Sequence, residues 1–159
     1  MDLGLLNMGD IIVRQKGFIT THYMVYVGTQ SGIQMVAENQ RGVGVQIVSL
    51  QKALANNLIK RIEKFSGTES DRHTVLPRIK KLLGKPYDLI RFNCEHFARW
   101  ISNGKMTSKQ VETVSLIALL GGIGFSMASL TAKKNGVFII LAIVLFLISI
   151  SVHLLQKKK

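Results

Sequence analysis

Residues 92–97 read Phe-Asn-Cys-Glu-His-Phe and contain the only cysteine of the chain. A helix is expected from about Asn93 to Asn103, stopping at Gly104, with Cys94, Phe97, Ala98 and Ile101 on one face. Cys94 then lies in the first helical turn, with Asn93 as its cap. Unpaired N–H groups and the helix dipole favour a thiolate there, and a thiolate, unlike a thiol, is a competent nucleophile. The same N–H groups around Asn93 can hold the oxyanion that develops when a carbonyl is attacked. Such a nucleophile needs a base. His22 sits in the apolar run Thr21-His22-Tyr23-Met24-Val25-Tyr26-Val27-Gly28 and by alternation shares a face with Met24 and Tyr26. It can take the thiol proton if the fold joins residues 22 and 94, which spacing alone does not establish. His96 is a poor base for Cys94, because two residues along a helix is a rotation of roughly 200°. His73 lies in a polar loop, and no role is expected for His153. On residue types alone, a lone buried cysteine is most often an inert packing residue, and a lone strand histidine is more often structural. One cysteine with scattered histidines offers no metal-ligand spacing, so neither metal nor cofactor is expected.

The elements that must carry these residues can be read from the pattern. Runs at 11–15, 22–28, 33–39 and 43–48 are β-branched or aromatic and separated by glycine-containing turns, and Leu58 to Phe65 reads as a further strand. Val75, Ile79, Leu82 and Leu83 follow the spacing of an amphipathic helix, ended by Gly84; Pro77 fits its first turn if Thr74 caps it. Strands followed by helices predict an α+β domain over residues 1–110, a small antiparallel sheet with packed helices.

Residues 111–159 differ in character. The stretches 114–132 and 137–155 are uncharged, and at 1.5 Å per residue each spans roughly 28 Å, close to the hydrocarbon thickness of a bilayer. The link Lys133-Lys134-Asn135-Gly136 is short enough to force a hairpin, and Gly121, Gly122 and Gly124 allow close approach of the two helices. The first stretch could instead dip in and return. A two-helix membrane anchor is therefore expected. Lys105, Lys109 and Lys157–Lys159 flank it on one side against Lys133 and Lys134 on the other, which places the preceding domain on the cytoplasmic face. The opening residues show neither a basic region nor an adequate apolar core, so no signal peptide is visible.

Composition sets the outer limits. Of 159 residues, 47% are apolar and 19% charged, which excludes a disordered chain. A single cysteine excludes an internal disulfide. The net charge of +12 is dispersed without aromatic interleaving, so nucleic acid is not an expected partner.

The string Asn93-Cys94-Glu95-His96-Phe97, preceded by Gly84-Lys85-Pro86-Tyr87-Asp88-Leu89, resembles the signature of the lecithin retinol acyltransferase family. The upstream strand His22-Tyr23-Met24-Val25-Tyr26-Val27-Gly28 is similar to that family's other motif. The likeness covers about residues 8–110, and histidine precedes cysteine, as in that family, a circularly permuted relative of the NlpC-type papain-like thiol hydrolases. It implies Cys94 as an acyl-accepting nucleophile on lipid esters, with His22 as its general base and acid. A glycerophospholipid is the implied substrate, water, an amine or an alcohol the acceptor, and a membrane the setting. Family members place a second histidine about a dozen residues after the first. This chain has Gln34-Met35-Val36-Ala37-Glu38-Asn39 there, so Glu38 is the expected orienting group, with Asn39 as fallback, since alternation lets only one of them face His22. Two apolar stretches rather than one are a second departure. A cysteine peptidase or amidase, and a non-catalytic membrane-interaction module, are the alternative readings.

Overall fold

A computed structural model describes residues 6–17, 20–131 and 136–157 of the chain. Residues 1–5, 18–19, 132–135 and 158–159 lie outside the described residues, among them the expected Lys133-Lys134-Asn135 link. The chain divides after Thr107 into two compact units.

The first unit is built on five antiparallel strands: β1 (Ile11–Lys16), β2 (Thr20–Gln30), β3 (Ile33–Gln40), β4 (Gly44–Ser49) and β5 (Ile59–Glu63). Their order is β4-β3-β2-β1-β5, so the histidine-bearing β2 is central. The β2–β3 turn holds only Ser31 and Gly32, both at positive φ (49° and 78°), and Gln30 pairs with Ile33 across it. A two-residue turn of that conformation matches the natural twist of paired strands.

Alternation along β2 sends side chains into two apolar layers. Tyr23, Val25 and Val27 join Val13, Ala37 and Val45 beneath Val75 and Ile79 of α2 (Val75–Leu82) and Phe97, Ala98 and Ile101 of α3 (Cys94–Asn103). Met24 and Tyr26 join Ile12, Val36 and Val48 against Leu50 and Ala53 of the short helix α1 (Leu50–Leu54). Phe97 and Ile101 are fully buried, and each such side chain contributes about 1.5–3 kcal/mol of apolar burial. That pins α3 across the sheet. The arrangement is α+β.

Several local details differ from the sequence expectation. Thr74 stands at the N-cap position of α2, but its hydroxyl donates to the Asp71 carbonyl instead of capping. A 3₁₀ turn over Ser70–Thr74 runs directly into the helix, which is how Pro77 is accommodated in the first turn. The last strand ends at Glu63, and the Phe65 amide donates to the buried carboxylate of Asp10. Helix α1, which no periodicity announced, is capped by Ser49 and closed by Ala55 in the left-handed conformation.

The second unit consists of α4 (Lys109–Thr131) and α5 (Gly136–Lys157). Ser115 lies beside Ser149, Gly122 beside Phe146 and Phe125 beside Phe138, so the two helices run antiparallel. Most of their large apolar side chains, such as Ile117, Leu120, Ile140 and Ile148, face outward. At 1.5 Å per residue each helix is about 33–35 Å long, enough to cross a bilayer.

Candidate active site

Cys94 is the first residue of α3 and is buried. Asn93, in extended conformation, caps the helix: its Oδ1 accepts from the amides of Glu95 and His96, each at 3.0 Å. His96 completes the cap by accepting the Asn93 amide at its Nδ1, 3.4 Å away. A capping box normally uses Glu or Gln at this third position, so the sequence carried no recognised signal for it. Both amides next to Cys94 are thereby engaged. The Asn93 side-chain amide donates to the Leu89 carbonyl, so Asn93 serves as a cap and a loop anchor.

His22 is buried on β2, and its Nε2 stands 2.6 Å from Oε2 of the buried Glu38 on β3. The side chains of His22 and Cys94 are also within hydrogen-bonding reach. With Nε2 held by the carboxylate, Nδ1 is the ring nitrogen left for the thiol. Burial alone would pull the His22 pKa down. Hydrogen bonds to Cys94 and Glu38, and electrostatic attraction to both groups, outweigh burial and hold it above its ordinary value. Burial pushes the Glu38 carboxyl up, but His22, the Gln46 amide at 2.9 Å and the charge of Arg14 bring it below its ordinary value.

The choice between Glu38 and Asn39 follows from register. Met24 pairs with Glu38 and Glu38 with Gln46, so Glu38 belongs to the same face as His22. Asn39 projects the other way and donates from Nδ2 to the Phe92 carbonyl at 2.6 Å. Sequence reading missed this tie, which fixes the segment two residues before the cysteine. The meeting point is the end of the sheet where β2 begins and β3 finishes. There His22 reaches Cys94, although strict alternation groups it with Met24 and Tyr26.

Two further groups shape the surroundings. Tyr87 has its pKa pushed up to about 12, first by burial and then by the charge of Cys94. Glu95, fully buried, is paired with Arg99 at 3.0 Å, and Arg99 also reaches Glu63 on β5, so this acid binds α3 to the sheet. His73 is exposed in its 3₁₀ turn, and His153 belongs to α5 of the second unit. Among the described residues no group of three or more His, Cys, Asp or Glu side chains is placed to hold a metal ion. A buried thiol, an imidazole within its reach and a carboxylate on the far ring nitrogen form the arrangement used for nucleophilic attack on carbonyls.

Comparison with known proteins points the same way. Human phospholipase A and acyltransferase 2 is 28% identical over 137 residues, spanning 74% of this chain and 83% of that protein. Human phospholipase A and acyltransferase 3 is 26% identical over 141 residues, spanning 77% and 86%. The Pongo abelii protein of the latter name is likewise 26% identical over 141 residues. The family model described as lecithin retinol acyltransferase matches residues 5–107, more than half of the chain and nearly all of the first compact unit. The chain belongs to the lecithin retinol acyltransferase family.

Proposed function

We propose that this protein is a membrane-tethered thiol acyltransferase or phospholipase that takes an acyl group from a glycerophospholipid through a Cys94 thioester. The single observation that carries this reading is the chain of contacts from Glu38 through His22 to Cys94. The family and the printed names of the relatives support lipid acyl chemistry as its class.

In the first step the His22–Cys94 pair supplies thiolate and imidazolium. The sulfur attacks the ester carbonyl, a C–S bond forms, and the ester C–O bond breaks. The leaving alkoxide takes the proton from His22. Water, an amine or an alcohol then attacks the thioester, giving its proton to His22 as the C–S bond breaks and the thiolate is regenerated. Glu38 acts through His22: it fixes the ring with Nδ1 toward the sulfur and stabilises the imidazolium. The Cys94 backbone amide, at the open start of α3, is the donor for the tetrahedral oxyanion. Helices α4 and α5 anchor the chain in the bilayer, with the domain over residues 1–110 on the cytoplasmic face as the lysine distribution directs.

The test is intact-protein mass after mixing the full chain with phosphatidylcholine vesicles. A hydroxylamine-labile gain of one fatty acyl group is expected, absent from Cys94→Ala and strongly reduced in His22→Ala. No adduct and no released fatty acid from any headgroup class would overturn the reading.

A further inference from the structure

A cavity of about 360 Å³ opens between the β3–β4 turn and the segment leading into the cysteine box. Arg41, Val43, Tyr87 and Leu89 supply its side-chain wall, and glycines at 42, 44 and 84 supply much of the rest. The two walls are joined by backbone: the Val45 amide donates to the Lys85 carbonyl at 3.0 Å, and the Gly84 amide to the Val45 carbonyl at 2.9 Å. Tyr87 ties this cavity to the nucleophile, because the charges of both Cys94 and Arg41 act on its hydroxyl.

Among the residues lining the cavity, Arg41 is the cation. Lys85 lies 4.1 Å over the Phe92 ring, Arg99 is paired with Glu95 and Glu63, and Arg61 with Glu63. Arg41 forms no hydrogen bond or ion pair among the described residues, and no acidic side chain lines the cavity. Beside it, Val43 is 58% and Leu89 63% exposed. Two exposed apolar tips flanking a free guanidinium fit a surface where acyl chains and phosphates lie a few ångströms apart. A guanidinium fork matches phosphate oxygens in both geometry and charge.

We propose that Arg41 binds the headgroup phosphate of the lipid substrate at this cavity, with Val43 and Leu89 dipping into the lipid surface, and so presents the ester carbonyl to Cys94. The inference rests on the thiol acyl-transfer reading above and adds the residue that selects phospholipid over neutral ester. No remaining cation lining the cavity could substitute for it.

The experiment measures acyl-enzyme formation by the full chain from phosphatidylcholine and from diacylglycerol with the same acyl chains, in mixed micelles, as a ratio of kcat/KM values. Arg41→Gln is expected to lower the phospholipid preference by roughly 10- to 100-fold, the loss typical of a charge-assisted contact. Arg41→Lys should restore part of it, and Lys60→Gln, on the opposite edge strand β5, should leave it intact. A preference unchanged in Arg41→Gln, or equal losses on both lipids, would overturn the inference while leaving the thiol mechanism standing. Competition by millimolar inorganic phosphate that Arg41→Gln abolishes would reassign the subsite to free phosphate and overturn the lipid assignment. Absence of acyl-enzyme from either lipid in the unmodified protein would overturn both readings together.

Discussion

The Nε2 of His22 and the Oε2 of Glu38 stand 2.6 Å apart in the interior, on neighbouring strands and 16 residues apart in the chain. This pairing commits Nε2 to the carboxylate and leaves Nδ1 as the ring nitrogen for the proposed base role. Glu38→Gln keeps the size of the side chain but removes its charge, and its amide can turn either end to the ring. The expected result is a kcat for acyl-enzyme formation reduced on the order of 10²–10⁴-fold. The His22 pKa should fall with the loss of the charge, so the imidazolium disappears at lower pH and the alkaline limb of the pH profile moves toward acid. Glu38→His should retain far more activity than Glu38→Ala. Rates that are equal in these two variants would show that Glu38 does not act through the ring.

The same pair makes stability depend on pH in a defined window. The His22 pKa is raised in the fold, so its contribution is complete below the ordinary value of 6.5 and fades as pH rises through the raised one. The Glu38 pKa is lowered, so its contribution is complete above the ordinary 4.5 and fades as pH falls through the lowered one. Both are complete between those values. Thermal unfolding across the pH range should show the advantage of the unmodified chain over the double variant His22→Gln, Glu38→Gln to be greatest there. An advantage independent of pH would contradict this account.

Asn39 performs a different task from its neighbour. Its bond to the Phe92 carbonyl spans 53 residues and is buried. Removing the donor in Asn39→Ala leaves that carbonyl with the Asp88 amide at 3.1 Å but without its tie to β3, the loss of one buried hydrogen bond worth about 0.5–1.5 kcal/mol. Asn39→Asp should be worse, since a carboxylate cannot donate to the carbonyl and would be buried beside it. Calorimetry of the three proteins checks the order. The acyl-enzyme rate should fall along the same series, because the segment that carries Cys94 loses its tie to β3.

These neighbours also mark where sequence reading stops. Cys94 and His22 stood out because a lone cysteine at a helix start and a histidine in an apolar strand each need a reason, and the family resemblance supplied one. The choice of Glu38 over Asn39 turned on strand parity, and a register slip of one residue would reverse it. The Phe92–Asn39 bond has no local signature, because its partners meet only when the sheet and α3 come together. Helix α1 was missed since a five-residue segment is too short to display a 3.6-residue period. Thr74 had the right residue type for a cap, but the preceding 3₁₀ turn already supplied helical geometry and drew its hydroxyl to Asp71.

The cap at the cysteine gives His96 a structural role that can be tested apart from proton transfer. Asn93→Ala removes the acceptor for two amides and should cost about 0.5–2 kcal/mol, while Asn93→Asp keeps the acceptor and most of the stability. His96→Gln can still accept from the Asn93 amide, whereas His96→Ala cannot. Both His96 variants should leave the pH profile of acyl-enzyme formation in place, in contrast to changes at Glu38. A displaced profile in His96→Gln would mean that His96 takes part in the proton transfer.

Two glycines of the β3–β4 connection test how rigidly the cavity wall must be held. Gly42 and Gly44 both have positive φ, 85° and 91°, so an alanine at either pays a backbone cost of about 1–3 kcal/mol. Their surroundings differ. A Cβ at Gly42 would meet nothing within 4 Å, whereas one at Gly44 would lie 2.6 Å from the Lys85 carbonyl oxygen. Gly44→Ala must therefore push the 84–85 segment away from β4 and strain the Val45–Lys85 and Gly84–Val45 bonds. That segment leads through Tyr87 and Leu89 to the cysteine box. Gly44→Ala should accordingly lose both more stability and more acyl-enzyme rate than Gly42→Ala. Equal unfolding midpoints and equal rates in the two variants would show that the contact between β4 and Lys85 does not hold the site in place.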